Sequence, residues 1–446
     1  MLNIHPNAIN AFNKKADSYG SLIKTLEDSQ DDSQNFHHDF HPIFNINSEN
    51  LNWGLSRSLD IYNNTVSIYL DKSKNIGIFE EDYTQIKKFL VSLSEKHIGN
   101  KISFHKLECI FQEWAIKRFI FRDCTEFISY LSQECKHLVK THEMWIPIEF
   151  LSIEREFKIG KVLFKPILKN TIDDIKIRSL NQVTHEEDRK PIELFIENKI
   201  RLVQGYTAAI ISVEAEFHSG CKIATEEVKR SLSILRLFSV SMYQPRTFHP
   251  AVIWGSSHAD YANILSLENG SMVCFTAHPI DHSVQSENLS CEDIDLFFQS
   301  GLGVLDEILR NSNPNDFQVK LLNCVMLLSR STIAKEPSDK VMYILTALET
   351  FFLKDSSEPI QQNLGERIAF LVKHSPDERR DVVKLTRKIY NLRSKFIHHG
   401  EQLNDYETLK KFMRISTDTI ITLIDCTHHF STVKELLEEL DQKKFS

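Results

Sequence analysis

Two kinds of apolar spacing divide the chain at about residue 290. Beyond it, segments of helical length follow one another: residues 290–311, 317–334, 337–354, 359–374, 375–400 and 404–430, each repeating its apolar positions every three to four residues. Start signals precede several of them: Ser290 with Asp293 three places on, Pro337, Pro376, and Asn404 before Glu407. An all-α domain over 291–446 is predicted.

Residues 1–290 are mixed. TVSIYL (65–70) and NIGIF (75–79) read as strands, and helical spacing runs through 80–139 around Trp114, Ile116, Phe119 and Phe127. Residues 145–168 read as a hairpin that turns at Ile159-Gly160, helical spacing resumes over 190–243, and 250–280 is again strand-like. The polar, acidic stretch 27–41 reads as an exposed loop. The fold class expected is therefore α+β: a mixed α/β region over 1–290, of one or two subdomains, followed by the helical domain.

Composition narrows the classes. With 41% hydrophobic residues and 29 Phe in 446, the chain can bury a large core, and 13 Gly with 12 Pro are too few for a turn-dense all-β protein. Eight scattered cysteines without a CxxC pair read as reduced, mostly core residues of a cytoplasmic protein. No run is long and apolar enough for a membrane span, so no membrane partner is expected. His37, His38, Asp39 and His41, and His278 with His282, have a metal-ligand look but lack a cysteine pair or HExxH helix, so no metal is assigned. GxxxxGK[ST], GxGxxG and GxSxG are absent, and no cofactor is expected. WAIKRFIFRD (114–123) interleaves cations with aromatics, a pattern read here as core packing rather than RNA stacking.

The net charge of −8 would argue against a nucleic-acid partner if it were uniform. It is not uniform. Residues 336–430 hold 14 basic and 14 acidic residues, and between Arg379 and Lys395 seven cations face one acid, Asp381. On a helical wheel Leu385, Ile389, Leu392 and Phe396 cluster within roughly 60° and mark the core stripe. His398 then points outward, near Lys384, Arg387, Asn391 and Ser394, whereas Arg393 flanks the stripe about 80° to its other side. His399 falls toward the core and reads as structural or capping, and Gly400 is a natural helix stop.

IYNLRSKFIHHG resembles the R-x4-6-H motif of HEPN domains (higher eukaryotes and prokaryotes nucleotide-binding), with Arg393 and His398 at x4 spacing. ILTALETFFL (344–353) and LGERIAFLV (364–372) are similar to segments of the Apea-like branch, found in bacterial anti-phage defence proteins, so the resemblance covers about 337–430. Its context matters more than its spacing, because an Arg and a His this far apart arise about once by chance in such a composition. The resemblance implies a metal-independent endoribonuclease, a toxin or abortive-infection effector that dimerises so that two motif helices face each other. One departure is Ser394, where many catalytic members carry Asn, Asp or His.

The chemistry suits the residues. RNA cleaves itself when its 2′-OH is deprotonated and attacks the adjacent phosphorus, leaving a 2′,3′-cyclic phosphate, provided that protein groups move protons and neutralise charge. Histidine titrates near working pH and arginine grips two phosphate oxygens, which assigns acid/base work to His398 and the scissile phosphate to Arg393. Glu349, alone in an apolar run, could orient Arg393; a pair with Arg367 or a water-facing position is the alternative. Asn391 and Ser394 could orient base or sugar, with His399 in support, while Lys384, Arg387, Lys388 and Lys395 would hold flanking phosphates. The expected partners are RNA, with tRNA one candidate, a second copy of the chain, and a phage-derived trigger sensed by residues 1–290. A non-catalytic module of the same fold, binding a protein or nucleotide, is the rival reading.

Overall fold

The computed structural model describes residues 4–25, 56–60, 65–71, 76–183, 185–247, 249, 251–256, 261–268, 271–279, 287–354 and 358–444. The acidic stretch 27–41, with His37, His38, Asp39 and His41, lies outside the described residues, as does His282. Secondary structure changes character near residue 290, from a mixed region with an antiparallel sheet to helices alone. Compactness divides the chain elsewhere than at 290: one unit holds residues 1–142 and 212–223, the other 143–211 and 224–446.

The first unit contains helix α1 (Pro6–Gly20), a four-stranded sheet of β1 (Lys24–Thr25), β2 (Ser56–Asp60), β3 (Thr65–Asp71) and β4 (Ile76–Phe79) in the order β1-β4-β3-β2, and helices α2 (Glu80–Leu93), α3 (Phe104–Ala115) and α4 (Phe127–Leu138). β3 and β4 fall where strands are predicted. The helices close on Phe89, Phe111, Trp114 and Phe127; Phe111 meets Phe127 edge-on at 5.3 Å between ring centroids. After Ala115 the helix widens into one i→i+5 turn, closed by Phe121 N–H donating to Ile116 O at 3.1 Å. Within WAIKRFIFRD, Trp114 and Ile116 are buried, Phe119 packs edge-on against Trp114, and Arg118 pairs with Asp17, so residues 114–119 build core, whereas Phe121 is 60% exposed.

In the second unit, β5 (Lys140–Glu149), β7 (Phe157–Ile159), β8 (Val162–Pro166), β9 (Thr207–Ala215) and β10 (Val252–Ile253) form a sheet in the order β10-β5-β9-β8-β7, and β6 (Leu151–Ile153) pairs in parallel with β13 (Glu287–Leu289). The β5 and β9 strands begin or end in the first unit's residues. The predicted hairpin forms one residue later than expected: Ile159 pairs with Val162, so Gly160-Lys161 makes the turn, with Gly160 at φ +61°. Helical spacing over 190–243 proves half right. Helices α5 (Lys169–Asn181), α6 (Glu186–Phe195) and α7 (Phe217–Arg236) are present, but β9 lies between the last two as a central strand. β11 (Tyr261–Glu268) and β12 (Ser271–Pro279) form the expected strands and place the backbone of His278.

The helical part comprises α8 (Cys291–Phe297), α9 (Gly303–Arg310), α10 (Asp316–Ile333), α11 (Pro337–Phe352), α12 (Ile360–Val372), α13 (Pro376–His399), α14 (Tyr406–Asp425) and α15 (Val433–Lys443). Ser290 and Asp293 form a capping box, and Pro337 and Pro376 open their helices, as read from sequence. α14 is capped by Asp405, one residue after Asn404, because its carboxylate accepts from Thr408 N–H at 3.1 Å. Cysteines are less buried than expected: of the seven whose side chains are described, only Cys135 and Cys324 are buried. No helix among the described residues is long and apolar enough to cross a membrane.

Candidate functional site

α13 carries the basic stretch. Ser375 caps it reciprocally with Glu378, and Gly400 ends it in the left-handed conformation at φ +67°, its N–H returning to Phe396 O at 2.9 Å. The helix is thereby held to His399, and both histidines ride its last turn.

Its buried face differs from the predicted stripe. Val382, Thr386, Ile389 and Tyr390 are buried, whereas Leu385, Leu392 and Phe396 are only half-buried. That centre is turned by roughly 75° on the wheel. The physical reason lies on α12: Gly365 is buried, and a Cβ there would stand 3.3 Å from Thr386 Cβ and 3.4 Å from Val383 Cα. A glycine lets the two helices approach at this turn, and Thr386 tolerates burial because its hydroxyl donates to Val382 O at 2.9 Å.

The rotation moves Arg393 from the flank of the stripe to the buried side. There Glu349 Oε1 of α11 accepts from Tyr390 OH at 2.6 Å and from Arg393 Nη1 at 3.3 Å. Burial and the adjacent carboxylate raise the Tyr390 phenol far above its ordinary pKa, so it remains a donor. Arg393 Nε is buried without a hydrogen-bond partner. Arg367, the alternative partner of Glu349, instead pairs with Glu358 at 2.7 Å and Asp441 at 3.1 Å. The same rotation corrects His399, which is exposed rather than coreward.

The outward face matches expectation. Lys384, Arg387, Asn391, Ser394 and His398 are all exposed and follow one strip of α13, about 21 Å long at 1.5 Å per residue. At its N-terminal end Lys384 and Arg387 join Arg379 and Arg380 in a groove of about 520 Å³, closed by Phe370 of α12 and by Lys444. Sequence reasoning did not foresee Lys444 or the groove, which arise from packing α12 against α13. The other two lysines differ. Lys388 is bound to Asp405 and Thr408 Oγ1, both at 2.6 Å, and ties α13 to the start of α14 instead of facing a ligand. Lys395 is exposed and 3.8 Å from Glu401.

Arg393 and His398 are not brought together within one chain: no hydrogen bond joins them among the described residues, and five residues of helix set them about 140° apart. Tyr390 was missed, although it precedes Arg393 by three residues, the spacing that places two side chains on one face. The arrangement offers a fixed guanidinium, a free imidazole and a cationic track. Compared with known proteins, the chain matches no family model, no curated protein and no solved structure.

Proposed function

We propose that the protein is an endoribonuclease that cuts RNA without a metal, at a seam where two copies of α13 face each other. The observation that carries this reading is the exposed polar strip from Lys384 to His398, adjoining the groove of Arg379, Arg380 and Arg387, on a helix whose Arg393, about 140° away from His398, is held by Glu349; a facing copy of α13 would bring the two together. RNA phosphates follow the cations, giving salt-dependent binding. His398 takes the 2′-OH proton, O2′ bonds to phosphorus, and the P–O5′ bond breaks; the 5′-oxygen leaves with a proton from water. The products are a 2′,3′-cyclic phosphate and a 5′-OH. Arg393 neutralises charge on the phosphorane oxygens. A phage-derived trigger acting through residues 1–290 and a structured substrate such as tRNA extend the same reading.

One observation favours a second reading. Arg393 already has a carboxylate partner in its own chain, which weakens its pull on phosphate and suits a binding module that uses α13 as a docking face.

Incubation of the purified protein with total RNA in EDTA separates the two. Wild type is expected to cleave, and His398→Ala to lose at least about 10²-fold in rate. Because Arg393→Ala leaves Glu349 unpaired, Arg393→Lys is tested beside it. Cleavage that survives every substitution overturns the site, and cleavage abolished by EDTA overturns the metal-free chemistry. Absence of cleavage by wild type supports the binding module.

A further inference from the structure

Arg236, at the end of α7, is buried, with 8% of its surface exposed. Its Nη2 donates to Ala251 O at 2.7 Å, while its Nε is buried with no hydrogen-bond partner. No carboxylate among the described residues pairs with it; Glu287, an acid on β13, is held by His249 at 3.1 Å. Burial lowers the guanidinium pKa to about 10, which leaves it positive at neutral pH. A buried cation without a counter-ion is costly, and the helix C-terminus supplies only about half an elementary charge against it.

Arg236 lines a cavity of about 370 Å³. Lys229 and Arg230 of α7 and Arg330 of α10 also line it, with Glu226 the one acid among the described lining residues. Glu226 is taken up by Lys229 at 3.0 Å, and Arg230 pairs with Glu227 outside the lining. Arg330 is exposed and has no ion-pair partner among the described residues. Val252, Met326 and Ile333 give the cavity an apolar wall. A cavity of this size accepts a ring with its phosphate, and a cationic floor beside an apolar wall suits such an amphipathic ligand.

We propose that this cavity binds a phosphate-bearing small molecule of nucleotide size, with a phosphoryl group on Arg236 and with Lys229, Arg230 and Arg330 around it. The site shares no residue with α13, and the proposal does not depend on the ribonuclease reading. Guanidinium recognises phosphate in planar, two-bond geometry, which a lysine in the same place would not reproduce.

The test is thermal unfolding of the full chain with millimolar inorganic phosphate, AMP, ATP or a 5′-phosphorylated RNA oligonucleotide. AMP or ATP is expected to raise Tm by a few degrees. A shift with the oligonucleotide alone would overturn a small-molecule site. Arg236→Met should abolish the shift while leaving the ligand-free Tm unchanged or higher, because it removes an unpaired buried charge. A ligand-free Tm that falls, with the shift preserved, would make Arg236 structural and overturn the proposal. Should Arg236→Met fail to fold, exposed Arg330→Gln decides: about tenfold weaker AMP binding is expected by titration, and unchanged affinity overturns the site. No shift with any phosphate probe also overturns it.

Discussion

Glu349 illustrates how one half-buried acid can hold two neighbours: a phenol and a guanidinium share its Oε1, so Arg393 is positioned by a group that Tyr390 in turn holds in place. The sequence marked Glu349 and Arg393 as candidates but not the Tyr390 between them, since a tyrosine in a helical stripe looks like core until a carboxylate is seen across from it. A second acid has the opposite character. Burial, reinforced by Asp293, raises Glu287 to about 7, and burial with the charge of Arg236 lowers His249 to about 3. The His249 ring accepts Ala251 N–H at Nδ1, so Nε2 carries the proton and faces Glu287. For a carboxylate raised in the folded state, stability is fully present below its ordinary pKa and is lost as pH rises toward 7. His249, lowered in the folded state, works the other way and loses stability as pH falls below its ordinary value of 6.5. Glu287→Gln is therefore expected to stabilise the protein by about 3 kcal/mol near pH 8 and by nothing near pH 4, as urea unfolding at the two pH values would measure. Equal gains at both pH values would sink the assignment.

At the scale of the element, α13 explains which features could be read in advance. Its start and end were visible because Ser375, Pro376 and Gly400 act locally, through caps and a left-handed stop. Its facing was not, because the turn toward Arg393 is set by Gly365 on another helix. β9 was hidden for a related reason. Its burial is continuous from Thr207 to Ile211 and alternates only over its last residues, so its first half lacks the alternation that identifies a half-exposed strand, and periodicity alone does not separate that half from a buried helix. The hairpin turn and the cap of α14 each missed by a single residue, the usual uncertainty of an element's boundary. Gly400 offers a clean test. A Cβ there meets nothing within 4 Å, so the cost of Gly400→Ala is backbone strain alone, about 1 kcal/mol at φ +67°. Denaturant unfolding should show that loss, with hydrogen exchange rising in the turn that bears His398.

At the scale of the whole molecule, the strip on α13 explains how an acidic protein can present a cationic surface. The proposed ribonuclease reading also predicts an assembly. Ile397 is 49% exposed beside His398, an apolar contact that a two-fold seam would cover. Light scattering is expected to give twice the chain mass, and Ile397→Glu to give a folded monomer that no longer cuts RNA; a wild-type monomer active at nanomolar concentration would contradict the shared site. The division into units has its own consequence. The chain leaves the first unit after residue 142, returns for residues 212–223, and leaves again. On the ribosome, the first unit is therefore still missing residues 212–223 when residues 143–211 emerge, and the α13 helix is synthesised only after both visits are complete. A premature stop ahead of residue 376 would yield a product with the first unit's whole sequence and none of the candidate nuclease helix.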